Sequence, residues 1–480
     1  MKAGFSAAPA TAASYSRRQA VKITNELERK LDASDGFELP ELDGDPLEPR
    51  VFSSVYYDTT GYSLAHAGIT LRRRTEHGRS LWQLKLPSAE SRLELEQAGG
   101  PAGPPAEFTP LLFAHLRNGP LARVAELHTR RHGLLVSHDG TTAEVTVDAV
   151  SVMDARRVAG RFVEVEIELR GGDPKGLDEI AREVLDAGAR PSNGLPKAFR
   201  AIGIEPAPAS EAEAPFAALS GLLRTQLREI LAHDPGTRLG KDPESLHDMR
   251  VATRRARALL RAGRALIASD TQVLRAELKW LGGELATVRD LDVLLERLRT
   301  SAASLEPPDR AAATSLLRRL ARSRSRARKK LLDALDGERY LSLLDRFEEE
   351  IERLEPSDEQ PTLAALAKKQ SKHVRRSVGE LGDEPADEEL HAIRKLVKRM
   401  RYAHELAGRK KVVRQAKSLQ DVLGEHQDAV VAEDRLRALA AKAAAPEALA
   451  AGALITGERQ RREEARRAWR GAWRKLDRAA

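Results

Sequence analysis

The chain has 480 residues, of which 41% are hydrophobic, 32% charged and only 4% aromatic, with a formal net charge of +8. That length suits two large domains or about three ordinary ones, and the composition excludes collagen-like, membrane-spanning and wholly disordered classes. With no cysteine, disulfides, thiolate zinc sites, iron–sulfur clusters and a cysteine nucleophile are excluded as well.

No uncharged apolar run approaches the roughly 18 residues of a membrane span. Residues 1–19 hold no continuous apolar core that could serve as a signal sequence. Residues 1–20 are therefore expected to be a disordered tail on a soluble, cytoplasmic protein. Charge then divides the chain, with −3 on residues 1–205 and +11 on residues 206–480, so the two halves are expected to do different jobs. The seam is the Pro/Ala/Glu-rich stretch 205–214, which has no apolar period and reads as a linker. A domain over 21–204 and another over 215–480 follow. The overall class is α+β, strand-rich before the linker and all-α after it.

In the first half, residues two apart share a strand face and lie roughly 6.5–7 Å from each other. Over Asn25–Leu31 this puts Glu26, Glu28 and Lys30 on one face and Leu27, Arg29 and Leu31 on the other. Arg72 pairs with Arg74 in the same way, and Gln83 with Lys85. Arg92, Glu94 and Glu96 form a further set, and Asp148 lines up with Thr146. Last comes Phe162–Glu168, with Glu164, Glu166 and Glu168 on one face and Val163, Val165 and Ile167 on the other.

An ordinary antiparallel sheet, polar outside and apolar inside, would show the same alternation. Segregation of sign argues for more. Three carboxylates on one strand face repel one another unless a cation lies between them, and rows of Arg and Lys have the opposite problem. If the sheet closes on itself, both rows face one lumen. A polyanion bridged to the carboxylates by Mg2+ or Mn2+ then satisfies both, because these ions complete their octahedra with carboxylate and phosphate oxygens.

Glu26-Leu-Glu-Arg-Lys30 resembles the E-x-E-x-K signature of the CYTH, or triphosphate tunnel metalloenzyme, family. Tyr57-Asp-Thr59, Gly68–Arg74, Leu84-Lys-Leu86, Val163–Glu168 and Ala189–Lys197 follow in the family's order, over about residues 21–204. The resemblance implies an eight-stranded antiparallel β tunnel with helices that hydrolyses or cyclises triphosphates with divalent metal. It implies Glu26, Glu28, Glu166 and Glu168 as metal ligands, and Lys30, Arg72, Arg74, Lys85 and Lys197 as phosphate-binding groups. Glu26, Glu28, Lys30, Glu166 and Glu168 form the catalytic set, and Glu94, Glu96, Asp148 and Glu164 are further lumen candidates. One departure is that Pro196 precedes Lys197 where the family commonly has Ser. Phosphate-loop, H-E-x-x-H and G-x-S-x-G templates are absent.

The second half contains an internal repeat. Leu246–Arg257 and Leu390–Arg401 share a template: His247, Arg250, Arg254 and Arg257 are spaced 3, 4 and 3, as are His391, Arg394, Lys398 and Arg401. Those steps keep each set on one helical face. Leu285–Asp292 and Leu423–Val430 form a second pair, placing Asp290 opposite Asp428. A solvated basic stripe would explain one such face, but four like charges at this spacing cost a few tenths of a kcal/mol per pair, and here they occur twice in the same register. Arg and Lys in rows suit phosphate oxygens. The run Arg318–Lys330, with eight basic residues, either extends that phosphate path or meets acidic partners. The prolines at 307, 308, 356 and 361 mark breaks between helices.

These motifs resemble the CHAD domain, over about residues 215–475. That likeness implies two four-helix repeats around a basic channel lined by the eight residues named above, with inorganic polyphosphate as the ligand. A metal site from His247, His391 and His426 with Asp290 and Asp428 is electrostatically disfavoured by the surrounding cations. Double-stranded DNA is disfavoured as a ligand, because no recognition module is evident and aromatic residues for base stacking are sparse. The expectation is a metal-dependent triphosphatase acting on inorganic triphosphate or short polyphosphate, held to polyphosphate by a helical module and found in the cytoplasm at polyphosphate granules. A non-catalytic polyphosphate adaptor, a nucleotide cyclase and a thiamine triphosphatase are the alternatives. Assembly into a homo-oligomer is left open.

Overall fold

The structure is a computed structural model that describes residues 21–87, 92–117, 119–204 and 215–480. The expected tail 1–20 and linker 205–214 lie outside the described residues. The chain divides into two compact units, Met1–Thr109 with Asn118–Pro206, and Pro110–Arg117 with Ala207–Ala480. The second unit thus includes one short segment from the strand-rich half, whose Ala114 is fully buried in that unit's core.

The first unit is built on antiparallel strands: β1 (Lys22–Glu26), β2 (Glu28–Ala33), β3 (Gly44–Pro46), β4 (Arg50–Asp58), β5 (Thr70–Glu76), β6 (Arg79–Pro87), β7 (Arg92–Ala98), β8 (Ala122–His138), β9 (Thr141–Asp154), β10 (Arg157–Gly171) and β11 (Arg190–Pro191). They pair in the order β1-β7-β6-β5-β4-β8-β9-β10-β2-β11, with β3 on β8. The eight-stranded expectation therefore becomes eleven, and the reason is local. β1 and β2 are halves of one stretch interrupted at Leu27, the first pairing with β7 and the second with β10. Among the described residues no ladder closes the sheet, but its two ends meet on that one segment, giving a tunnel-like wall of eight long strands plus the short β3 and β11.

Alternation sets the two sides of the wall. Val163, Val165 and Ile167 of β10 face outward, where Leu177, Ile180 and Val184 of α3 (Lys175–Asp186) cover them. Each such buried aliphatic side chain contributes roughly 1.5–3 kcal/mol. Glu164, Glu166 and Glu168 consequently face inward, beside Asp32, Lys30 and Glu28 in the β10–β2 register. Gly133 is required by close approach, since a Cβ there would lie 2.1 Å from the Val145 carbonyl oxygen across the β8–β9 ladder. Short helices α1 (Ser63–His66) and α4 (Lys197–Ile202) complete the unit. The Asp58 carboxylate accepts from the amides of Thr59, Leu64 and Ala65 and so anchors α1.

The second unit holds α2 (Thr109–Leu116, its last seven residues), α5 (Pro215–Leu239), α6 (Pro243–Ala262), α7 (Gln272–Ala303), α8 (Pro307–Leu335), α9 (Glu338–Glu352), α10 (Leu363–Gly379), α11 (Asp387–Leu406), α12 (Lys410–Ala440) and α13 (Ala445–Ala479). Prolines at N1 start α6 and α8, and Asp242 caps α6 by accepting from the Glu244 amide, where the missing Pro N–H costs nothing. The neighbour packing α5–α6–α7–α8 repeats as α10–α11–α12–α13, and α6 meets α11. These are the expected two sets of four. Helix α9 is additional: it packs on α5 and α7 and has no counterpart in the second set. No helix among the described residues is long and apolar enough to cross a membrane.

Candidate functional site

A cavity of about 1280 Å³ runs inside the sheet of the first unit, and it is lined by eleven Lys or Arg residues and nine Glu residues. Glu26, Glu28, Lys30, Arg72, Arg74, Lys85, Glu94, Glu96, Glu166, Glu168 and Lys197 all line it. Asp148 and Glu164 are fully buried in its wall. The strand register explains the gathering, since Glu26 lies opposite Arg92, Glu94 opposite Lys85, and Arg72 opposite Gln83.

One part of the wall is already neutralised. Glu166 meets Lys30 at 2.9 Å, Lys197 at 2.6 Å and Arg131 at 2.5 Å. Lys197 also reaches Glu164 at 2.6 Å and Asp148 at 3.1 Å, and Arg131 grips Asp148 with two hydrogen bonds. Lys197 therefore points into the tunnel despite the Pro196 departure. Burial opposes charging Glu166, but Lys197, Lys30 and Arg131 overcome it and hold its carboxyl well below the ordinary value. The same carboxylates overcome burial to hold Lys197 above its ordinary value. Arg131 was not among the sequence candidates. Its signal was available in the alternation Leu127, Thr129, Arg131 on β8, the first two being buried.

Another part of the wall is only partly partnered: Arg74 Nη2 reaches Glu76 at 2.9 Å and Arg92 Nη2 donates to the Gly68 carbonyl. Arg72 donates to Gln83 Oε1 and to the Tyr56 hydroxyl. Gln83 in turn donates to Glu94 and Glu96. Arg74 Nε and Arg92 Nε are buried and meet no acceptor. Burial, with Arg72 and Arg50 nearby, pushes the Arg74 guanidinium down to about 10. Excess positive charge with unused donors is what an anion would relieve.

The remaining carboxylates have the opposite excess. Burial and the hydrogen bond that the protonated Glu94 donates to the Glu26 carboxylate push Glu94 up to about 8. Glu26 is held down at about 2, since the bond to Glu94 and the Lys85 ammonium outweigh its burial. Burial pushes Glu168 up to about 7 against the pull of Arg170, with Glu26 and Glu144 adding repulsion. Glu94 and Glu168 thus retain protons near neutral pH, Glu168 even with Arg170 at 2.6 Å, and the donor atoms of all three are oxygens, which fits a hard divalent cation. Among the described residues, no three of these carboxylates bring oxygens within 4.8 Å of one another, so side-chain rotation would have to complete the coordination. Glu166, with both oxygens taken by cations, is the least free of the four ligands expected from sequence.

In the helical unit the two basic faces converge. Lys398 has Arg394, Arg254, Arg250 and Arg401 as electrostatic neighbours, and with its burial, the largest cause, they push its ammonium down to about 7. His247 Nδ1, His391 Nδ1, Arg254 Nε, Arg394 Nε and Arg401 Nε are buried without partners, with the two histidines at equivalent positions of the repeats. Burial first, and then cations on their own helices and on α7, hold both histidines below their ordinary value. Arg250 reaches Asp290 at 3.2 Å.

A groove of about 1120 Å³ includes Arg254, Arg257 and Lys398. His247, Arg250, His391, Arg394 and Arg401 are not part of its lining. Sequence reasoning missed the rest of the groove, notably Arg261, Arg275, Lys279, Lys369, Lys372 and Arg399, and no carboxylate lines it. His426 lies elsewhere, paired with Asp387 at 3.0 Å, so the three-histidine metal set is not assembled. Much of the run Arg318–Lys330 is engaged in bracing contacts on α8: Arg319 with Glu447, Arg324 with Asp292, and Arg328 with the carbonyls of Thr237 and Arg238.

Comparison with known proteins agrees with this geometry. The CYTH domain pattern matches residues 24–191 and the CHAD domain pattern residues 221–437. Two uncharacterized proteins of Mycobacterium tuberculosis, MT2285 of strain CDC 1551 and Rv2226 of strain H37Rv, are each 30% identical over 509 aligned residues, covering 95% of this chain and 96% of theirs. PptA from Streptomyces chartreusis is 26% identical over 54% of this chain and 99% of its own, with a TM-score of 0.46. The CHAD domain from the plant Ricinus communis is 25% identical over 55% and 93%, with a TM-score of 0.45. The chain belongs to the family that joins a CYTH domain, the triphosphate tunnel fold of metal-dependent triphosphatases and cyclases, to a CHAD domain.

Proposed function

We propose that the tunnel hydrolyses inorganic triphosphate or short polyphosphate with a divalent cation, and that the helical unit holds the enzyme on polyphosphate. The observation that carries this is the paired imbalance inside one cavity: guanidinium donors without acceptors on one side and carboxyls that retain protons on the other. A metal–triphosphate complex removes both at once. The cation, held by Glu26, Glu28, Glu94 and Glu168 with Glu166 behind them, would neutralise phosphate oxygens and favour attack by water. Arg72, Arg74, Lys85 and Arg92 would orient the phosphate chain. Lys30, Lys197 and Arg131 would keep Glu166 and Asp148 ionised and fixed. The carboxylate-free groove between the repeats would add local concentration of substrate through the tether.

Inorganic triphosphate is favoured over nucleotides because the described lining offers only two rings, His77 and Tyr56, the latter already hydrogen-bonded to Arg72. The test is product analysis with triphosphate, ATP and thiamine triphosphate, each with Mg2+ or Mn2+. Orthophosphate from triphosphate at the highest kcat/KM supports the proposal, and cyclic nucleotide as the main product overturns it. Granule association predicts co-sedimentation with polyphosphate that short polyphosphate, and not DNA, competes away.

A further inference from the structure

Helix α9 stands outside the duplicated design. Its inner face is ordinary, with Tyr340, Leu344, Phe347 and Ile351 in the core. Its outer face carries Asp345, Glu348, Glu349 and Glu350 within six residues, in a half of the chain with net charge +11. Between that face and the Ser269–Thr271 turn before α7 lies a cavity of about 450 Å³. Asp270, Asp345, Glu349 and Glu350 line it with Arg346 and Arg353, and Arg117, outside the lining, meets Asp345 at 2.9 Å, so the local balance is −1.

The two lining guanidinium groups satisfy the carboxylates poorly, at 3.7 Å for Arg346 to Glu350 and 3.5 Å for Arg353 to Glu349. Two lining oxygens have no partner at all. Thr271 is 1% exposed and its Oγ1 meets no hydrogen-bonding group, and Glu350 Oε2 is buried in the same condition. Burial, seconded by Asp270 and against the pull of Arg346, holds the Glu350 carboxyl above its ordinary value. A buried oxygen without a partner costs about 1–3 kcal/mol, so the cavity favours a guest that brings N–H donors and positive charge.

The chemistry of that guest is narrowed by spacing. Among the described residues no three of these carboxylates bring oxygens within 4.8 Å of one another, so they do not converge on a single metal ion. An anion is opposed by the net charge, and the volume exceeds the share of one water, about 30 Å³, many times over. It falls in the range of small-molecule sites, roughly 300–1,000 Å³. Separated carboxylates and a hydroxyl acceptor match separated ammonium groups on a flexible chain. We propose that the cavity between α9 and the Ser269–Thr271 turn binds an aliphatic polyamine. Asp270, Glu349 and Glu350 each face an ammonium group, and Thr271 Oγ1 accepts an N–H.

The net charge of the whole chain repels polycations, so a saturable signal reports a site rather than diffuse attraction. The experiment is calorimetric titration of the full-length protein with spermidine at low ionic strength. One saturable site is expected, weakened at least tenfold by Glu350→Gln with Asp270→Asn and several-fold by Thr271→Val. It is expected to be unchanged by Glu94→Gln in the tunnel. The Thr271→Val variant removes no charge and serves if the double variant melts early. Absence of saturable binding up to about 1 mM, equal affinity in the Glu350 and Thr271 variants, or complete displacement by equimolar Mg2+ would each overturn the proposal.

Discussion

Cation binding in the tunnel should expel protons, and the number can be worked from the site. Glu94 titrates at about 8 and Glu168 at about 7, so at pH 7 the first is about nine-tenths protonated and the second about half. A cation bound by their ionised forms therefore displaces about 1.4 protons at that pH. Over pH 6 to 8 the two protonation equilibria together predict that apparent affinity for Mg2+ or Mn2+ tightens roughly 500-fold. Replacing Glu94 with Gln removes one of them, and the remaining tightening falls to about tenfold. The assay is titration calorimetry in buffers of different ionisation enthalpy, which counts protons directly. A pH-independent affinity, or the same slope in wild type and Glu94→Gln, would refute the assignment of these carboxyls to the cation.

Three further outcomes follow from the same geometry. A carboxyl whose folded value is raised contributes stability that is fully present below its unfolded value and is lost as pH climbs through the folded one. The metal-free tunnel unit should therefore lose Tm between about pH 5 and 8, and Glu94→Gln should flatten that decline. Lys197→Met strands Glu164 and Asp148 with one cation fewer, so a loss of about 3–5 kcal/mol is expected in denaturant melts, whereas Lys197→Arg should recover part of it. In the groove, Lys398 sits at about 7 and an anion would raise it, so polyphosphate affinity should fall about tenfold from pH 6 to 8. Protonation of His247 and His391 at the acid end strengthens binding in the same direction. Lys398→Arg, charged throughout, should remove most of the Lys398 contribution to that dependence in a fluorescence titration.

Period-two alternation made much of the tunnel legible. Glu26, Glu28 and Lys30 share a face because Leu27, Arg29 and Leu31 take the other, and Glu164, Glu166 and Glu168 follow from Val163, Val165 and Ile167 in the same way. Pairing was not legible. That Glu166 would spend both oxygens on Lys30, Lys197 and Arg131 depends on which elements become neighbours, and no local pattern states that β2, β8 and α4 bring those cations to β10. The break at Leu27 was hidden for the same reason, because only its two partner strands divide β1 from β2. In the helical unit the duplicated His–Arg spacing located α6 and α11. The cations of α7 and α10 that share the groove, such as Arg275 and Lys372, belong to no repeated motif. Conversely the dense run on α8 drew attention by composition alone, and four of its eight cations brace neighbouring helices.

The central claim, that metal-bridged triphosphate in the tunnel is the substrate complex, is tested most directly by one comparison. Orthophosphate release from inorganic triphosphate is measured for wild type and Glu26→Gln/Glu28→Gln, with and without Mg2+, alongside polyphosphate binding by each. The account predicts metal-dependent release by wild type, a fall of at least a hundredfold in the variant, and unchanged polyphosphate binding. Release that persists in the variant, or that needs no divalent ion, would contradict it.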